Sequence, residues 1–184
     1  MPRTPLTPLS GKPLTWFAIL ATLLIQSGCA TLNRDECVHA DWYRIGREDG
    51  AHGHPIERIE DHRKACGEFG ITPNPAAYRK GRGDGLIHYC TPSSGYEQGK
   101  SGASYHYVCP RELEADFMRG FRAGTHVHDL TQQIQQVDGK IKAKEKELEK
   151  DKLSEEQRKN TRERIRDLER ERNNLRSMLR SMER

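Results

Sequence analysis

Pairs of histidines follow glycines at two places in this sequence, and their ring nitrogens are possible metal ligands. His52 and His54 follow one glycine, and His126 and His128 follow another. Imidazoles that converge can bind zinc, nickel or copper. Residues two apart on a helix point in nearly opposite directions, so each pair could chelate an ion only where its helix frays after the glycine. The alternative is that these histidines lie in solvent or hydrogen-bond to helix ends.

Two aspartates occupy equivalent places, because Asp49 and Asp84 each stand directly before a glycine. Two carboxylates could act as a catalytic acid and base. The competing interpretation is that each binds an arginine, a lysine or a helix N-terminus in a neighbouring segment. The sequence has no activated-serine motif, so we expect no catalytic residue and no enzyme activity.

The glycine-rich stretch around Gly83 could be mistaken for a phosphate loop. Gly81, Gly83 and Gly85 do not have the last spacing of the dinucleotide fingerprint, and no predicted strand precedes them. The triplet Arg82-Gly83-Asp84 is short enough to arise by chance, and in a helix it would not be displayed as an adhesion loop. We therefore expect no cofactor.

These residues belong to a loose repeat, in which an aromatic residue is followed by glycine at the third position and by glycine or alanine at the seventh. Positions i, i+3 and i+7 share one face of an α-helix. The glycines would let another backbone approach, at a cost of about 1 kcal/mol each in helix propensity. We expect helices for three copies, and either a loop or a helix for the copy at Tyr96. The repeat residues are Tyr43, Gly46, Asp49 and Gly50; Tyr78, Gly81, Asp84 and Gly85; Tyr96 and Gly99; and Phe117, Gly120 and Gly124.

Four cysteines lie within the repeat region, and an even number in an exported chain indicates two disulfides with three connectivities open. Helices are predicted to begin near Pro55 and at Pro75, where Asn74 is the N-cap. An antiparallel arrangement of the first two helices would join Cys37 to Cys66. The other pair would then be Cys90 with Cys109, which bracket the third copy.

The N-terminus has the pattern of a bacterial export signal. Arg3 and Lys12 precede an apolar run at 14–25, which is shorter than the ~20 residues that span a bilayer. Gln26-Ser27-Gly28-Cys29 then resembles the lipobox of lipoprotein precursors, with Gln26 where leucine is usual. The resemblance implies cleavage before Cys29 and its acylation by fatty acids such as palmitate. The alternatives are ordinary secretory cleavage and an uncleaved anchor.

The residue after Cys29 indicates where such a lipoprotein would be sorted. It is Ala30 rather than aspartate, which by resemblance to Gram-negative sorting favours the outer membrane over the inner one. Loss of Arg3 and Lys12 lowers the formal charge from +4 to about +2. This small excess is not typical of nucleic-acid binding, so we expect envelope partners.

The last third of the chain has the heptad pattern of a coiled coil. Residues at spacings of four and three form one seam from Leu130 to Leu148, apolar except at Lys144, and a second from Ile165 to Met182, apolar except at Arg172. Between them, Ser154 and Gln157 form a predicted capping box. We predict an antiparallel helical hairpin; one long helix that dimerises between chains is the alternative.

Several motifs together resemble a known family: Cys37-x4-Trp42, Gly46-x2-Asp49-Gly50, and the pattern from Tyr78 to Cys90. With the lipobox and the helical tail, they are similar to a family of proteobacterial envelope lipoproteins that carry a domain of unknown function. The resemblance implies an envelope location and a helical fold. It implies no activity.

The sequence therefore predicts an all-α protein with a disulfide-stapled helical domain followed by an antiparallel coiled-coil hairpin. The predicted segments are a signal peptide (1–28), a linker (29–36), the stapled domain (37–129) and the hairpin (130–184). We expect a lipid-anchored periplasmic protein of the outer membrane with a structural or interaction role, whose hairpin binds an envelope protein, the cell wall or a second copy. The alternative is a metal-binding or stress-sensing module that uses the histidines.

Overall fold

The computed structural model describes residues 31–182, and these form seven α-helices and no β-strand. The all-α fold predicted from the sequence is confirmed. The predicted signal peptide and the lipidation site Cys29 lie outside the described residues. The helices are α1 (Arg34–Val38), α2 (Trp42–Ala51), α3 (Arg58–Gly67), α4 (Pro75–Tyr89), α5 (Pro92–Lys100), α6 (Arg111–Leu148) and α7 (Glu155–Met182).

Helices α2 and α4 form the first glycine-packed pair. A methyl group at Gly46 would overlap the carbonyl oxygen of Tyr78, and one at Gly81 would overlap the carbonyl oxygen of Tyr43. Gly50 meets Arg82 one turn further along both helices, so the helices run parallel. The repeat therefore places backbone against backbone, which only glycine permits here.

Helices α5 and α6 form a second pair with the same reciprocal contacts. Gly95 packs on the backbone of Phe117, and Gly120 packs on the backbone of Pro92. The third copy is thus helical. Its contact face starts at Pro92, whereas the prediction placed the start four residues later, at Tyr96. The register was wrong because Gly95 and Gly99, rather than Gly99 and Ala103, are the two glycines that meet α6.

The two predicted disulfides are confirmed. Cys37 is bonded to Cys66 with their Cα atoms 5.4 Å apart, and Cys90 is bonded to Cys109 with a Cα separation of 5.6 Å. The first bond joins the C-terminal ends of α1 and α3. The second closes the loop that contains α5, and the loop closed by the first contains α2, so each disulfide closes a loop around one helix of a glycine-packed pair.

The segment predicted as a linker, 29–36, is part of the domain from residue 31 onward. Leu32 packs against a core cluster that contains Ile45 and Tyr78. Asn33 caps α1: its side chain accepts from the Glu36 N–H, and the Glu36 carboxylate accepts from the Asn33 N–H. The boundary was missed because a five-residue helix gives little periodic signal.

Helix α6 crosses the predicted domain boundary at residue 129 without interruption. It packs against α5 near Phe117 and against α7 further on. Its buried residues after Gly124 keep the spacing that the heptad pattern predicts: Val127, Leu130, Ile134, Val137 and Ile141. The change in composition therefore marks a change of packing partner within one helix.

The antiparallel hairpin predicted for the tail is confirmed. The Arg158 guanidinium donates to the Leu148 carbonyl at 3.0 Å near the turn, and Arg172 donates to Asp138 at 3.2 Å further back. Ser154 and Gln157 form the predicted capping box. Between these points Leu168 packs against α6. Among residues 31–182, no helix is both long enough and apolar enough to cross a membrane.

Candidate functional site

The first helix pair carries two reciprocal tyrosine–aspartate hydrogen bonds. Tyr78 on α4 donates to Asp49 on α2 at 2.7 Å, and Tyr43 on α2 donates to Asp84 on α4 at 2.8 Å. Each repeat therefore supplies an aromatic hydroxyl for the carboxylate of the other. The predicted partners of the aspartates, an arginine, a lysine or a helix N-terminus, were wrong in type, although the expected bonding between copies is present.

The second helix pair has the same backbone contacts but different chemistry. The residues equivalent to the tyrosines are Pro92 and Phe117, and those equivalent to the aspartates are Gln98 and Ala123. Phe117 has no hydroxyl to donate, and its ring stacks instead on Tyr89 of α4 with the ring centroids 5.1 Å apart. The polar site is therefore a property of the first pair.

His62 on α3 hydrogen-bonds to the aspartate of only one of the two tyrosine–aspartate pairs. Its Nε2 lies 2.8 Å from the Asp49 carboxylate, and its Nδ1 lies 2.9 Å from the Thr31 hydroxyl. A carboxylate can only accept, so Nε2 carries a proton, and in the neutral ring Nδ1 accepts from Thr31. The result is a chain of hydrogen bonds from Thr31 through His62 and Asp49 to Tyr78.

Burial and hydrogen bonding set the electrostatics of this network. Burial raises the pKa of Asp49, but the hydrogen bonds from His62 and Tyr78 outweigh it, so the pKa lies below its ordinary value. Burial and the bond to this carboxylate raise the pKa of Tyr78 well above its usual range. Asp49 is therefore a carboxylate and Tyr78 a neutral phenol at neutral pH. Only 3% of the His62 side chain is exposed, so the imidazole is isolated from bulk water.

A cavity of about 240 Å³ lies beside the network. The Nε atom of Arg58, which lines it, is buried and has no hydrogen-bond partner among residues 31–182. The remaining charged residues at its wall have both signs. Its lining consists of Thr31, Leu32, Glu36, Arg44, Ile45, Glu48, Asp49, Arg58 and His62.

The order hydroxyl, imidazole, carboxylate is the one that hydrolases use to activate a nucleophile. In this protein the hydroxyl belongs to Thr31, which comes two residues after Cys29. The same bonds also fasten the N-terminal segment to α3. The arrangement can therefore serve either as a reactive site or as a structural contact, here called a fastening role, that holds the N-terminal segment on α3. Variants of Thr31 distinguish the two.

The four histidines predicted as metal ligands lie in two different places. His52 and His54 follow α2, with ring centroids 6.2 Å apart, and His52 hydrogen-bonds to the Glu48 carbonyl. His126 and His128 lie on α6, where the His128 Nδ1 is 3.1 Å from the Lys100 carbonyl. Within residues 31–182, no three histidine, cysteine, aspartate or glutamate side chains converge as metal ligands do.

Burial of His54 has one electrostatic effect. It lowers the pKa of that imidazole, and nearby positive charges add to the effect, although Asp49 opposes it. The backbone carbonyl of His54 accepts from Arg82 of α4 at 2.8 Å. This residue therefore joins the end of α2 to its neighbour through its main chain.

His62 is the site residue that the sequence analysis missed. It lies on α3 between Ile59 and Cys66, at spacings of three and four, and all three side chains are buried. The signal that could have identified it is a polar residue at a position where the helical pattern predicts a buried apolar side chain.

The hairpin offers a second surface with functional potential. Within the described part of the chain, α6 is the only helix against which α7 packs extensively. The Asp138 carboxylate accepts from both Arg172 and Arg176, at 3.2 and 3.4 Å. These partly exposed contacts link the two helices across the hairpin. The outer faces of both helices remain exposed.

Residues 41–126 match the model of a family described as "Protein of unknown function (DUF2799)". The match begins at the N-cap of α2 and ends just after Gly124, so it spans both glycine-packed pairs and leaves out most of the hairpin. No curated protein and no solved structure matches the chain. Residues 41–126 are therefore similar to an uncharacterised domain family, and the matched stretch covers the two glycine-packed pairs.

Proposed function

We propose that this protein is a lipoprotein of the Gram-negative outer membrane, anchored by acylated Cys29 on the periplasmic side, and that its role is structural or interactive rather than catalytic. The export signal and the Cys29 motif support the anchor. The two disulfides suit an oxidising compartment. In this proposal the stapled domain is the base and the hairpin is the arm that binds an envelope protein or the cell wall.

The observation that carries the proposal is the continuity of α6. This helix of 38 residues is about 57 Å long at 1.5 Å per residue, and its first turns are fixed to α5 by glycine packing. The arm is therefore mounted stiffly on the base. Basic residues outnumber acidic ones from residue 130 onward, which favours a partner surface with negative charge.

Photo-crosslinking in living cells tests this role. A photoreactive residue placed at Lys146 on α6 or at Arg166 on α7 probes the exposed faces of the arm, and one at exposed Arg79 on α4 is the matched control. We expect a discrete adduct from the two arm positions and a different pattern from the control. Intact-mass analysis identifies the partner, including a second copy of the chain. Absence of an adduct from a protein shown to be acylated and oxidised would refute the arm as the binding surface.

A second candidate function rests on the Thr31–His62–Asp49 geometry, which fits a hydrolase with a threonine nucleophile. The proposal predicts covalent labelling of Thr31 by a fluorophosphonate probe, retained in Thr31→Ser and lost in Thr31→Val. A fastening role predicts no labelling of any of the three proteins. It also predicts that Thr31→Val alone lowers the unfolding temperature, because it removes the hydroxyl at nearly constant volume.

A further inference from the structure

The N-terminal segment is bound to the domain almost from the predicted lipid attachment point. Thr31 hydrogen-bonds to His62 at 2.9 Å, Leu32 packs against the core, and Asn33 caps α1. Only Cys29 and Ala30 precede this segment in the proposed mature chain. Two residues span at most about 7 Å, so an acylated Cys29 holds the domain directly at the bilayer surface.

Two exposed apolar side chains lie close to this point. Val38 is 55% exposed and Phe69 is 41% exposed. Val38 follows Cys37 of the first disulfide, and the Phe69 N–H donates to the carbonyl of the other cysteine, Cys66, at 3.0 Å. The disulfide therefore holds them within about 15 Å of each other.

Helix α3 connects these side chains to the attachment point. Thr31 contacts His62, and Cys66 comes four residues later on the same helix, about 6 Å along its axis. Val38 and Phe69 thus lie within about 20 Å of the residue where the chain leaves the domain. A membrane tethered at Cys29 is close enough to meet both.

We infer that the end of the domain around the Cys37–Cys66 disulfide contacts the phospholipid surface, with Val38 and Phe69 inserted at the boundary between headgroups and acyl chains. This inference rests on the proposed lipid anchor. It adds a second, protein-borne membrane contact that fixes the orientation of the domain. Acyl chains on a single residue leave the domain free to rotate about its tether, and an apolar contact beside them orients the attachment.

The orientation follows from the chain path. Val38 precedes α2 and Phe69 precedes α4 by a few residues, so both lie near the N-terminal ends of this parallel pair. The C-terminal end of α4 meets α6, through Leu86, Tyr89 and Phe117. The membrane contact and the start of the arm helix are therefore attached at opposite ends of α4.

Tryptophan quenching in vesicles tests the contact. The acylated protein is reconstituted with phospholipids brominated in the upper part of the acyl chains. Trp42 is the only tryptophan after residue 28, so single probes are built on Trp42→Phe as Val38→Trp and Phe69→Trp. The matched controls are Ile87→Trp and Tyr107→Trp, which replace residues that are 57% and 80% exposed.

We expect fluorescence at positions 38 and 69 to fall about twofold, because residues buried ~5–10 Å into the interface come within quenching range. The two controls should change little. If Trp42→Phe lowers the melting temperature, each tryptophan is instead introduced with Trp42 retained. Its quenching is then the difference between the fluorescence of the variant and that of the wild-type protein.

Two results would overturn the inference while the proposed function stands: an acylated protein without quenching at positions 38 and 69, or one quenched equally at all four positions. Intact mass separates this failure from that of the proposal itself. If the mature chain carries no acyl groups on Cys29, the proposed lipid anchor is refuted, and the inferred membrane contact is refuted with it.

Discussion

Substitution of Gly81 by alanine tests whether α2 and α4 meet backbone to backbone. The added methyl group would overlap the carbonyl oxygen of Tyr43 and come within 3.0 Å of the Arg47 nitrogen. Both are main-chain atoms of a helix, so a side-chain rotation cannot relieve the overlap. The two helices must move apart, and the contacts along the whole pair loosen.

The magnitude follows from two opposing effects. Alanine improves helix propensity by about 1 kcal/mol, whereas forcing extra volume into a packed interface costs about 1–3 kcal/mol or more. The overlap here is with main-chain atoms of two successive turns of α2, so we place the gross cost at or above the top of that range. The expected net destabilisation is about 2 kcal/mol.

Gly83→Ala is the matched control, because it lies on the same helix with nothing within 4 Å of its added methyl group. It should stabilise the protein by about 0.5–1 kcal/mol. The assay is urea unfolding of both oxidised variants, followed by far-ultraviolet circular dichroism. If Gly81→Ala were as stable as Gly83→Ala, the close contact between α2 and α4 would be refuted.

Three further predictions concern the polar network and the arm. His62→Ala should destabilise the domain by about 3 kcal/mol, because it leaves the largely buried Asp49 carboxylate with the Tyr78 hydroxyl alone and removes the charge-assisted bond from the imidazole; urea unfolding measures this, and a loss below about 0.5 kcal/mol would contradict the network. Because the pKa of Asp49 is lowered in the fold, its stabilisation is present above the ordinary value near 4 and is lost as the pH falls through the folded value. Unfolding at a series of acidic pH values should therefore show a steeper loss for wild type than for Asp49→Asn, and equal slopes would refute the shift. Leu168→Ala should cost about 2–4 kcal/mol and abolish amide protection in α7 while α4 stays protected, because Leu168 is 2% exposed and packs only within the hairpin; joint loss of both would show that arm and base unfold together.

The sequence was informative wherever a local rule decided the structure. Asn74 and Pro75 start α4 because an amide side chain caps free N–H groups and proline needs none. The glycine face at spacings of three and four followed from helix geometry, and the heptad pattern predicted which residues of α6 are buried. The disulfide pairing followed once the helices were placed.

The parts that depend on long-range packing could not be read from the sequence. No local feature of the sequence indicates that the first repeat pairs with the second, or that the third repeat starts at Pro92. The four glycines 95, 99, 120 and 124 offer several registers of equal spacing, and only the contact between α5 and α6 selects one. His62 was missed for the same reason, since its partners are 13 and 31 residues away in the chain.

The order of the disulfides has a consequence for how the protein reaches its native state. The four disulfide-bonded cysteines pair in the order in which they occur, the first with the second and the third with the fourth, across separations of 29 and 19 residues. A chain exported with its N-terminus first presents Cys37 and Cys66 before Cys90 and Cys109 emerge. Oxidation of each new thiol with the one before it therefore yields the native pairs directly, and the slow reshuffling of mispaired disulfides is avoided.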